Sequence, residues 1–255
     1  MQVVGIIPAR YASARFPGKA LVDINGKTMI QRVYEQASKA LDWVFVATDD
    51  NRIADHVKSF NGKVIMTSPD HKSGTERCSE ALKKILAIED CSKFDVVINI
   101  QGDEPFIKPE QLRHLASCFD NESVQIATLA KPITDNAEIF NPNCVKVIRN
   151  KDLQAIYFSR TPIPYLINIE KENWHKNFTF LKHVGIYAYK TSTLKELTML
   201  KPSDLEQAES LEQNRWLENS YNILVETTTF ENISIDTPED LEKIKKIKDI
   251  GDVKN

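Results

Sequence analysis

The sequence is poor in glycine and in cysteine, and each shortage disfavours a class of protein. None of its 8 glycines in 255 residues forms a GxGxxG or GxxxxGK[ST] pattern, which argues against a Rossmann dehydrogenase and a P-loop nucleotide hydrolase. Its 4 cysteines show no CxxC pair and no zinc-site spacing, which predicts reduced, buried thiols. No apolar stretch approaches the roughly 18 residues that span a bilayer, and the N-terminus lacks a basic leader. We therefore expect a cytoplasmic protein with no membrane partner.

Charge and size restrict the reading further. Lysine and arginine total 33 against 36 aspartate and glutamate residues, and this net charge of −3 argues against a nucleic-acid partner. Hydrophobic residues make up 42% and charged residues 27%, which are usual values for a globular enzyme. At about 150 residues per domain, the length predicts one or two domains. We expect a single α/β domain over residues 1–255, with a smaller subdomain at about residues 155–220.

The first half of the chain alternates short apolar runs with helical patterns. Four runs are almost wholly apolar, as parallel strands covered on both faces are, and they lie at residues 3–7, 44–47, 64–66 and 96–100. Between them, apolar residues recur at helical spacing, and Ser73 with Glu76 forms a capping-box pattern at one helix start. This alternation predicts a doubly wound sheet.

The second half is less regular. Further apolar runs predict strands at residues 126–130, 145–148, 184–189, 223–226 and 233–235. Helical patterning covers residues 205–219. A final helix is predicted from Thr237 as N-cap, Pro238 at the first helical position and Asp240 two residues later.

A basic loop follows the first predicted strand. Arg10, Arg15 and Lys19 are the only charged residues before Asp23, and Gly18 lies among them. Because α/β folds bind ligands at the carboxyl ends of their strands, this loop is a candidate phosphate cradle. A basic loop that simply faces solvent has the same composition, so charge alone leaves both interpretations open.

Carboxylates follow two other apolar runs. Asp103 and Glu104 come after the run at 96–100, and Asp236 comes after the run at 233–235. Protein-bound Mg²⁺ takes one or two carboxylates and completes its shell with water and phosphate oxygens, so these acids are candidate metal ligands. The structural alternatives are an ordinary Asp-Glu-Pro turn and an acid that complements a helix N-terminus.

Three polar clusters in the second half hold further candidates. Arg160 stands among apolar and proline residues, His183 begins a β-rich run, and Glu212 with Gln213 falls in a predicted helix. Each also has a structural alternative, namely a buried ion pair, a hydrogen-bonded core histidine and an exposed helical face.

Eight segments, in order, resemble the 3-deoxy-manno-octulosonate (Kdo) cytidylyltransferases. They are IPARYASARFPGKAL, ATDD, HKSGTER, NIQGDEP, YFSRTPIP, KHVGIYAY, LEQNRWLE and IDTPEDLE, and together they extend over nearly the whole chain. The resemblance implies a nucleotide-diphospho-sugar-transferase-like α/β fold, with a mixed, mostly parallel sheet, flanking helices and a small inserted subdomain for sugar binding and dimerisation. It implies a cytoplasmic homodimer that transfers CMP from CTP to Kdo for lipopolysaccharide biosynthesis, with Mg²⁺ as cofactor.

The resemblance also implies a role for each candidate residue. The nucleotide contacts would be Arg10, Arg15, Lys19, Ser73 and Arg77. The catalytic residues would be Arg10, Lys19, Asp103 and Asp236, the last two as Mg²⁺ ligands. The sugar contacts would be Gln101, Arg160, His183, Glu212 and Gln213. For Glu104 two interpretations stay open, namely a site residue and an acid at the start of a helix.

The sequence departs from the family pattern at two positions, and three alternative functions stay open. Phe16 replaces the usual leucine, and Asn214 stands near Gln213 where an arginine is common, which makes the Glu212 and Gln213 assignment provisional. The alternatives are a cytidylyltransferase for 8-amino-Kdo, one for sialic acid, and a catalytically silent nucleotide-binding module. The sialic-acid enzymes carry a different, lysine- and glycine-rich opening loop.

Overall fold

The structure is a computed structural model that describes residues 1–12, 16–88, 93–231, 234–235 and 237–245. The chain forms two compact units. The first comprises Met1–Ala116 and Phe230–Asn255, and the second comprises Ser117–Thr229. The second unit is therefore inserted in the sequence of the first, and the predicted subdomain at residues 155–220 lies within it.

A parallel sheet forms the centre of the first unit. Its strands are β1 (Val3–Ala9), β4 (Trp43–Thr48), β5 (Val64–Met66) and β6 (Val96–Asn99), in the spatial order β6-β1-β4-β5. Gly5 in β1 pairs with Val44 on one side and with Ile98 on the other. β6 is buried along its whole length, as expected for a strand with cover on both faces.

Helices and one short hairpin complete the first unit. The hairpin strands are β2 (Asp23–Ile24) and β3 (Lys27–Thr28), and the helices are α1 (Met29–Ser38), α2 (Asn51–Ser59), α3 (Gly74–Ile85), α4 (Pro109–Ser117) and α10 (Pro238–Lys245). Side-chain oxygens of Thr28, Asp50 and Ser73 accept a backbone N–H in the first turns of α1, α2 and α3. Such caps satisfy donors that a helix start leaves without partners.

A mixed sheet forms the centre of the second unit. Its strands are β7 (Ile126–Pro132), β8 (Lys146–Arg149), β9 (Ala155–Ser159), β10 (Leu181–Lys190) and β11 (Ile223–Thr227). β11 pairs with β7 in parallel, whereas β7–β10, β10–β8 and β8–β9 are antiparallel. The β7–β10 register shifts between Val184 and Tyr187, which is a bulge that includes Gly185.

Short helices connect these strands. They are α5 (Asn136–Phe140), α6 (Trp174–Asn177), α7 (Thr191–Leu197), α8 (Asp204–Glu209) and α9 (Glu212–Glu218). The helical pattern predicted at residues 205–219 corresponds to two helices, α8 and α9, because Ser210 adopts φ 52° and ends α8. Leu211 then donates its N–H back to the Glu206 carbonyl before α9 begins.

Each unit has its own hydrophobic cluster. In the first unit, Ile24, Met29 and Phe106 pack with Ile235 and with apolar side chains of α10. In the second unit the cluster surrounds Trp174, which stacks on Phe180 with ring centroids 5.8 Å apart. The Trp174 indole also donates a 3.0 Å hydrogen bond to the Ile169 carbonyl, so its polar atom is satisfied where it is buried.

Most of the predicted strands are confirmed to within three residues at their ends. The predicted strand at 233–235 is an exception, because Ser234 and Ile235 lie in no strand and Ile233 falls outside the described residues. Instead of joining a ladder, the Ile235 N–H donates a 3.1 Å hydrogen bond to the Asp103 carbonyl. Among the helices that the structure describes, none combines the length and apolar character that crossing a membrane requires.

Candidate functional site

A cleft of about 270 Å³ opens in the first unit where three loops meet. One loop leaves the carboxyl end of β1, the second leaves β6, and the third leads into the first turn of α3. The predicted residues in its wall are Arg10, Lys19, Ser73, Arg77, Gln101 and Asp103. Six residues that the sequence analysis predicted from separate segments therefore line one cleft, at the sheet edge where parallel folds bind ligands.

Two glycines allow these loops to approach closely. A Cβ at Gly102 would lie 2.8 Å from the Pro8 carbonyl oxygen, so no larger residue fits between the β1 and β6 loops. Gly18 adopts φ 73°, a left-handed conformation that other residues rarely adopt, and it precedes the single turn of 3₁₀-helix that carries Lys19. The shape of the cleft thus depends on glycine at both positions.

Positive charge dominates the cleft. Its described lining includes the cationic side chains of Arg10, Lys19, Lys72 and Arg77 against a single carboxylate, that of Asp103. Arg10 and Lys72 are exposed, whereas the Lys19 ammonium is largely buried and lies 2.7 Å from Asp103 Oδ2. This excess of cations suits an anionic ligand with several phosphate groups.

The start of α3 forms one wall of the cleft. Ser73 is its N-cap, and the Ser73 hydroxyl accepts the Glu76 N–H at 3.2 Å. The Glu76 carboxylate accepts the Lys72 N–H at 2.8 Å, so the predicted cap is confirmed with its second arm displaced by one residue. The N-terminus of this 12-residue helix adds a partial positive charge beside the side-chain cations.

Arg77 lies deeper than the other cations. It is 4% exposed, donates a 2.6 Å hydrogen bond to Thr67 Oγ1 and lies 3.5 Å from an Asp49 carboxylate oxygen. The other Asp49 oxygen, Oδ1, is buried without a hydrogen-bond partner in the part of the chain that the structure describes. Arg77 therefore presents a fixed, partly neutralised guanidinium to the cleft.

His71 and Lys72 also line the cleft and were not singled out from the sequence. The His71 ring is held by a short hydrogen bond from Nε2 to the Glu80 carboxylate. Hydrogen bonds from Lys84, the Ser68 backbone and His71 hold the pKa of Glu80 at about 2 although burial opposes this, so Glu80 stays charged. The signal was present in the sequence, since both residues belong to the segment HKSGTER.

The Asp103 carboxylate is the described group that fits a divalent cation. It is a hard oxygen ligand, partly exposed to the cleft and beside cations that would hold phosphates, and Mg²⁺ commonly takes one or two carboxylates with phosphate oxygens. No cluster of three or more metal-binding side chains occurs among residues 1–12, 16–88, 93–231, 234–235 and 237–245. Asp236 and Arg15 lie outside the described residues, although Ile235, directly before Asp236, bonds to the Asp103 carbonyl.

Glu104 is 7% exposed and does not line the cleft. Helix α4 begins five residues later at Pro109, and the acid in its first turn is Glu110. Glu104 is therefore not the helix-start acid that one interpretation of the sequence made it.

The second unit contains the remaining predicted residues, and Arg160 is held there by main-chain oxygens. Its guanidinium donates to the carbonyls of Glu209 at 2.6 Å, Pro142 at 3.1 Å and Ser210 at 3.4 Å. The Glu209 carboxylate accepts the Arg160 N–H at 2.9 Å. Three of the five guanidinium N–H groups are thus engaged, and the planar group is fixed in orientation.

His183 lies against uncharged groups. Its ring contacts Phe158 at 5.0 Å and Tyr187 at 5.2 Å, and Nε2 lies 2.9 Å from Thr128 Oγ1. Burial lowers the pKa of His183 to about 3, so the imidazole is neutral near pH 7. Because the Thr128 hydroxyl donates its proton to the Ile186 carbonyl at 2.7 Å, the hydrogen-bond network assigns the proton of the imidazole to Nε2. Nδ1 is then the acceptor nitrogen.

The first turn of α9 carries Glu212 and Gln213. Glu212 accepts a 3.1 Å hydrogen bond from Arg215, and Gln213 is 6% exposed. Asn214 is fully buried and donates to the Phe158 carbonyl at 3.0 Å, which ties α9 to β9. The Arg215 guanidinium donates to the carboxylates of Glu206 and Glu212 and to the Leu200 carbonyl. The departure at Asn214 therefore serves packing between two elements of the second unit.

Comparison with known proteins agrees with this site. The sequence profile of the cytidylyltransferase family matches residues 4–227. The chain is 57% identical over 244 residues to 3-deoxy-manno-octulosonate cytidylyltransferase of Bacteroides thetaiotaomicron, which covers 94% of this chain and 96% of that protein. It is 56% identical over 247 residues to the enzyme of the same name from Parabacteroides distasonis, covering 95% and 96%. The chain belongs to the 3-deoxy-manno-octulosonate cytidylyltransferase family.

A solved structure of this family extends the agreement to the fold. It is a CMP:2-keto-3-deoxy-manno-octonic acid synthetase complexed with CTP, 43% identical to this chain, with a TM-score of 0.87. The match covers 96% of this chain and 97% of that one. The predicted mixed, mostly parallel sheet with flanking helices is thereby confirmed, and this cytidylyltransferase is a nucleotidyltransferase by family.

Proposed function

We propose that this protein transfers CMP from CTP to the anomeric hydroxyl of Kdo, releasing pyrophosphate. The observation that carries the proposal is the cationic cleft, whose described wall contains Arg10, Lys19 and the N-terminus of α3 together with one carboxylate, that of Asp103. Family membership and the CTP named in the complex of the solved relative support the same substrates.

The cations of the cleft account for the nucleotide half of the reaction. The oxygen of the attacking hydroxyl loses its proton to solvent and forms a bond to the α-phosphorus, while the bond from that phosphorus to the β-phosphate bridging oxygen breaks. Negative charge grows on the departing pyrophosphate, and Arg10, Lys19 and Lys72 lie where they would stabilise it. We assign the triphosphate to these side chains, with Arg15 as a further contact, and the nucleoside to Ser73 and Arg77.

We assign Mg²⁺ to Asp103 and Asp236. When bound, the cation would lower the pKa of the attacking hydroxyl and offset charge on the phosphates. Lys19 would add a second positive charge beside the cation, because its ammonium lies 2.7 Å from the Asp103 carboxylate. Arg10 and Lys19 together would orient the triphosphate for attack in line with the leaving group.

The residues of the second unit provide suitable groups for an acidic sugar. Arg160 retains two N–H groups for the sugar carboxylate, and neutral His183 offers an acceptor nitrogen to a sugar hydroxyl. Gln101, Glu212 and Gln213 complete the proposed sugar contacts. A homodimer, a cytoplasmic location and a supply of product to lipopolysaccharide synthesis stay predictions beside this assignment.

Pyrophosphate release tests the reaction. The purified protein would be assayed with CTP and Mg²⁺, without sugar and with Kdo, 8-amino-Kdo or sialic acid, each with and without EDTA. We expect release that depends on Kdo and stops with EDTA. Release with another sugar alone would keep the chemistry and change the substrate, and no release with any sugar would indicate a silent module.

Asp103→Asn tests the carboxylate within that reaction. We expect turnover to fall by at least about a hundredfold, because an amide binds a divalent cation poorly and no longer pairs with Lys19. Asp55→Asn is the matched control, since Asp55 is 74% exposed and pairs with Lys58 outside the cleft. Thermal unfolding would show that both variants fold. Near-normal turnover in Asp103→Asn would contradict the assignment.

A further inference from the structure

Arg52 lies on the face of the Tyr11 ring, outside the cleft. The guanidinium carbon is 3.3 Å from the ring centroid, which is the distance of a stacked cation–π contact. Tyr11 directly follows Arg10, and neither Tyr11 nor Arg52 is among the described residues that line the cleft. The contact joins the start of α2 to the loop that carries the cations.

Arg52 is itself held in one orientation. Its Nε lies 2.9 Å from Asp50 Oδ1 and its Nη2 lies 2.6 Å from Asp50 Oδ2, so the two groups meet edge to edge. Asp50 caps α2 and accepts the Arg52 N–H at 2.9 Å. These hydrogen bonds lower the pKa of Asp50, which keeps the pair charged. An arginine whose side chain is 60% exposed would ordinarily sample many rotamers. Here the two hydrogen bonds to Asp50 and the contact with the Tyr11 ring restrict it to one orientation.

Tyr11 is also attached to the turn that carries Lys19. Its carbonyl accepts the Gly18 N–H at 2.9 Å, and its ring lies 3.2 Å from where a Gly18 Cβ would be. Gly18 begins the turn that carries Lys19, whose ammonium reaches Asp103 in the cleft. Tyr11 is therefore fastened on one side to Arg52 and on the other to the turn that presents Lys19.

We propose that Arg52 is a positioning residue for CTP, which stacks on Tyr11 and thereby holds Arg10 and Lys19 in place for the triphosphate. The inference rests on the proposed function, since it names what orders the phosphate loop of that same site. Arg52 acts through Tyr11 and not as a phosphate ligand. Both the flat ring contact and the two-point contact with Asp50 require a guanidinium, which lysine cannot reproduce.

The test compares Arg52→Ala and Arg52→Lys with the wild type. Both variants should raise KM for CTP about threefold to tenfold and also lower kcat, with KM for Kdo within about twofold and thermal stability unchanged, because Arg10 and Lys19 hold bound CTP and also meet the charge that grows on the departing pyrophosphate. Restoration by lysine would overturn the inference, since it would mean that charge and not stacking matters. A fall in thermal stability, with both KM values changed together, would also overturn it by indicating a general structural role.

Arg113→Ala is the matched control. Arg113 is 53% exposed, pairs with Glu110 at 3.5 Å and donates to the Lys39 carbonyl, all outside the cleft. Its KM for CTP should equal that of the wild type. An equal KM for CTP in Arg52→Ala and Arg113→Ala would overturn the inference.

A double variant tests whether Arg52 acts through Tyr11. If it does, adding Arg52→Ala to Tyr11→Ala should raise KM for CTP no further, whereas additive effects would mean that Arg52 acts independently of the ring. Calorimetric titration with CTP alone separates the two proposals. A wild-type protein that binds no CTP would overturn the proposed function, while one that binds CTP as tightly as Arg52→Ala would overturn only the role of Arg52.

Discussion

The protonation of His183 is the property of the second unit that we can predict most quantitatively. The ring packs against Phe158 and Tyr187 and bonds to Thr128, and none of these groups carries a charge that would stabilise an imidazolium. Burial accordingly lowers the pKa of His183 to about 3, whereas a histidine in an unfolded chain titrates near 6.5. The folded protein therefore favours the neutral ring.

The sign and size of the effect on stability follow from these two values. Because the folded pKa lies below the unfolded pKa, the contribution is fully present above pH 6.5 and is lost as the pH falls from 6.5 towards 3. Between pH 7.5 and pH 5, His183 becomes protonated in the unfolded chain but stays neutral in the folded protein. This lowers the free energy of unfolding by about 2 kcal/mol.

Urea unfolding at pH 7.5 and pH 5 measures this loss. His183→Gln supplies the reference, since its amide can still donate to Thr128 but does not titrate, and the wild type should lose about 2 kcal/mol more than this variant. The ring resonance of His183, followed by NMR, should not shift between pH 7.5 and pH 5. A midpoint near 6.5, or equal losses in both proteins, would refute the argument from burial.

Two further predictions concern stability. Lys146→Met should lower the free energy of unfolding by at least about 3 kcal/mol in urea titration, because the fully buried ammonium donates to the carbonyls of Asn141, Cys144 and Arg160, and a methionine side chain donates to none of them. A loss below about 1 kcal/mol would contradict this accounting. Gly18→Ala should cost about 1–2 kcal/mol, because alanine is strained at φ 73° and would press on the Tyr11 ring. Unchanged thermal unfolding of that variant would mean that the turn adopts another conformation.

The cleft was largely predictable because of one property of parallel sheets. Loops that leave the carboxyl ends of β1 and β6 must emerge at the same edge, so Arg10 and Lys19 could be placed near Gln101 and Asp103 without knowledge of the fold. The Ser73 cap followed from local chemistry alone. Both inferences use rules that act over a few residues or between neighbouring strands.

The features that the sequence did not predict depend mainly on contacts between distant segments. The stack of Arg52 on Tyr11 joins residues 41 positions apart, and no periodicity signals it. The carbonyls that hold Arg160 belong to Pro142 and to the end of α8, so the arginine in the sequence gave no sign of its fixed orientation. The break at Ser210 lies within an uninterrupted helical pattern, because a serine at positive φ has no compositional signature.

The two-segment construction of the first unit also matters while the protein is being made. Ile24, Met29 and Phe106 leave the ribosome early, but the apolar residues that cover them, among them Ile235 and Leu241, are synthesised after the whole second unit. The bond from the Ile235 N–H to the Asp103 carbonyl is equally late. The nascent chain must therefore carry an uncovered apolar surface through synthesis of more than a hundred residues, and exposed surfaces of this kind invite aggregation and chaperone binding. The bond that fastens the loop holding Asp103 can therefore form only after the second unit has been synthesised.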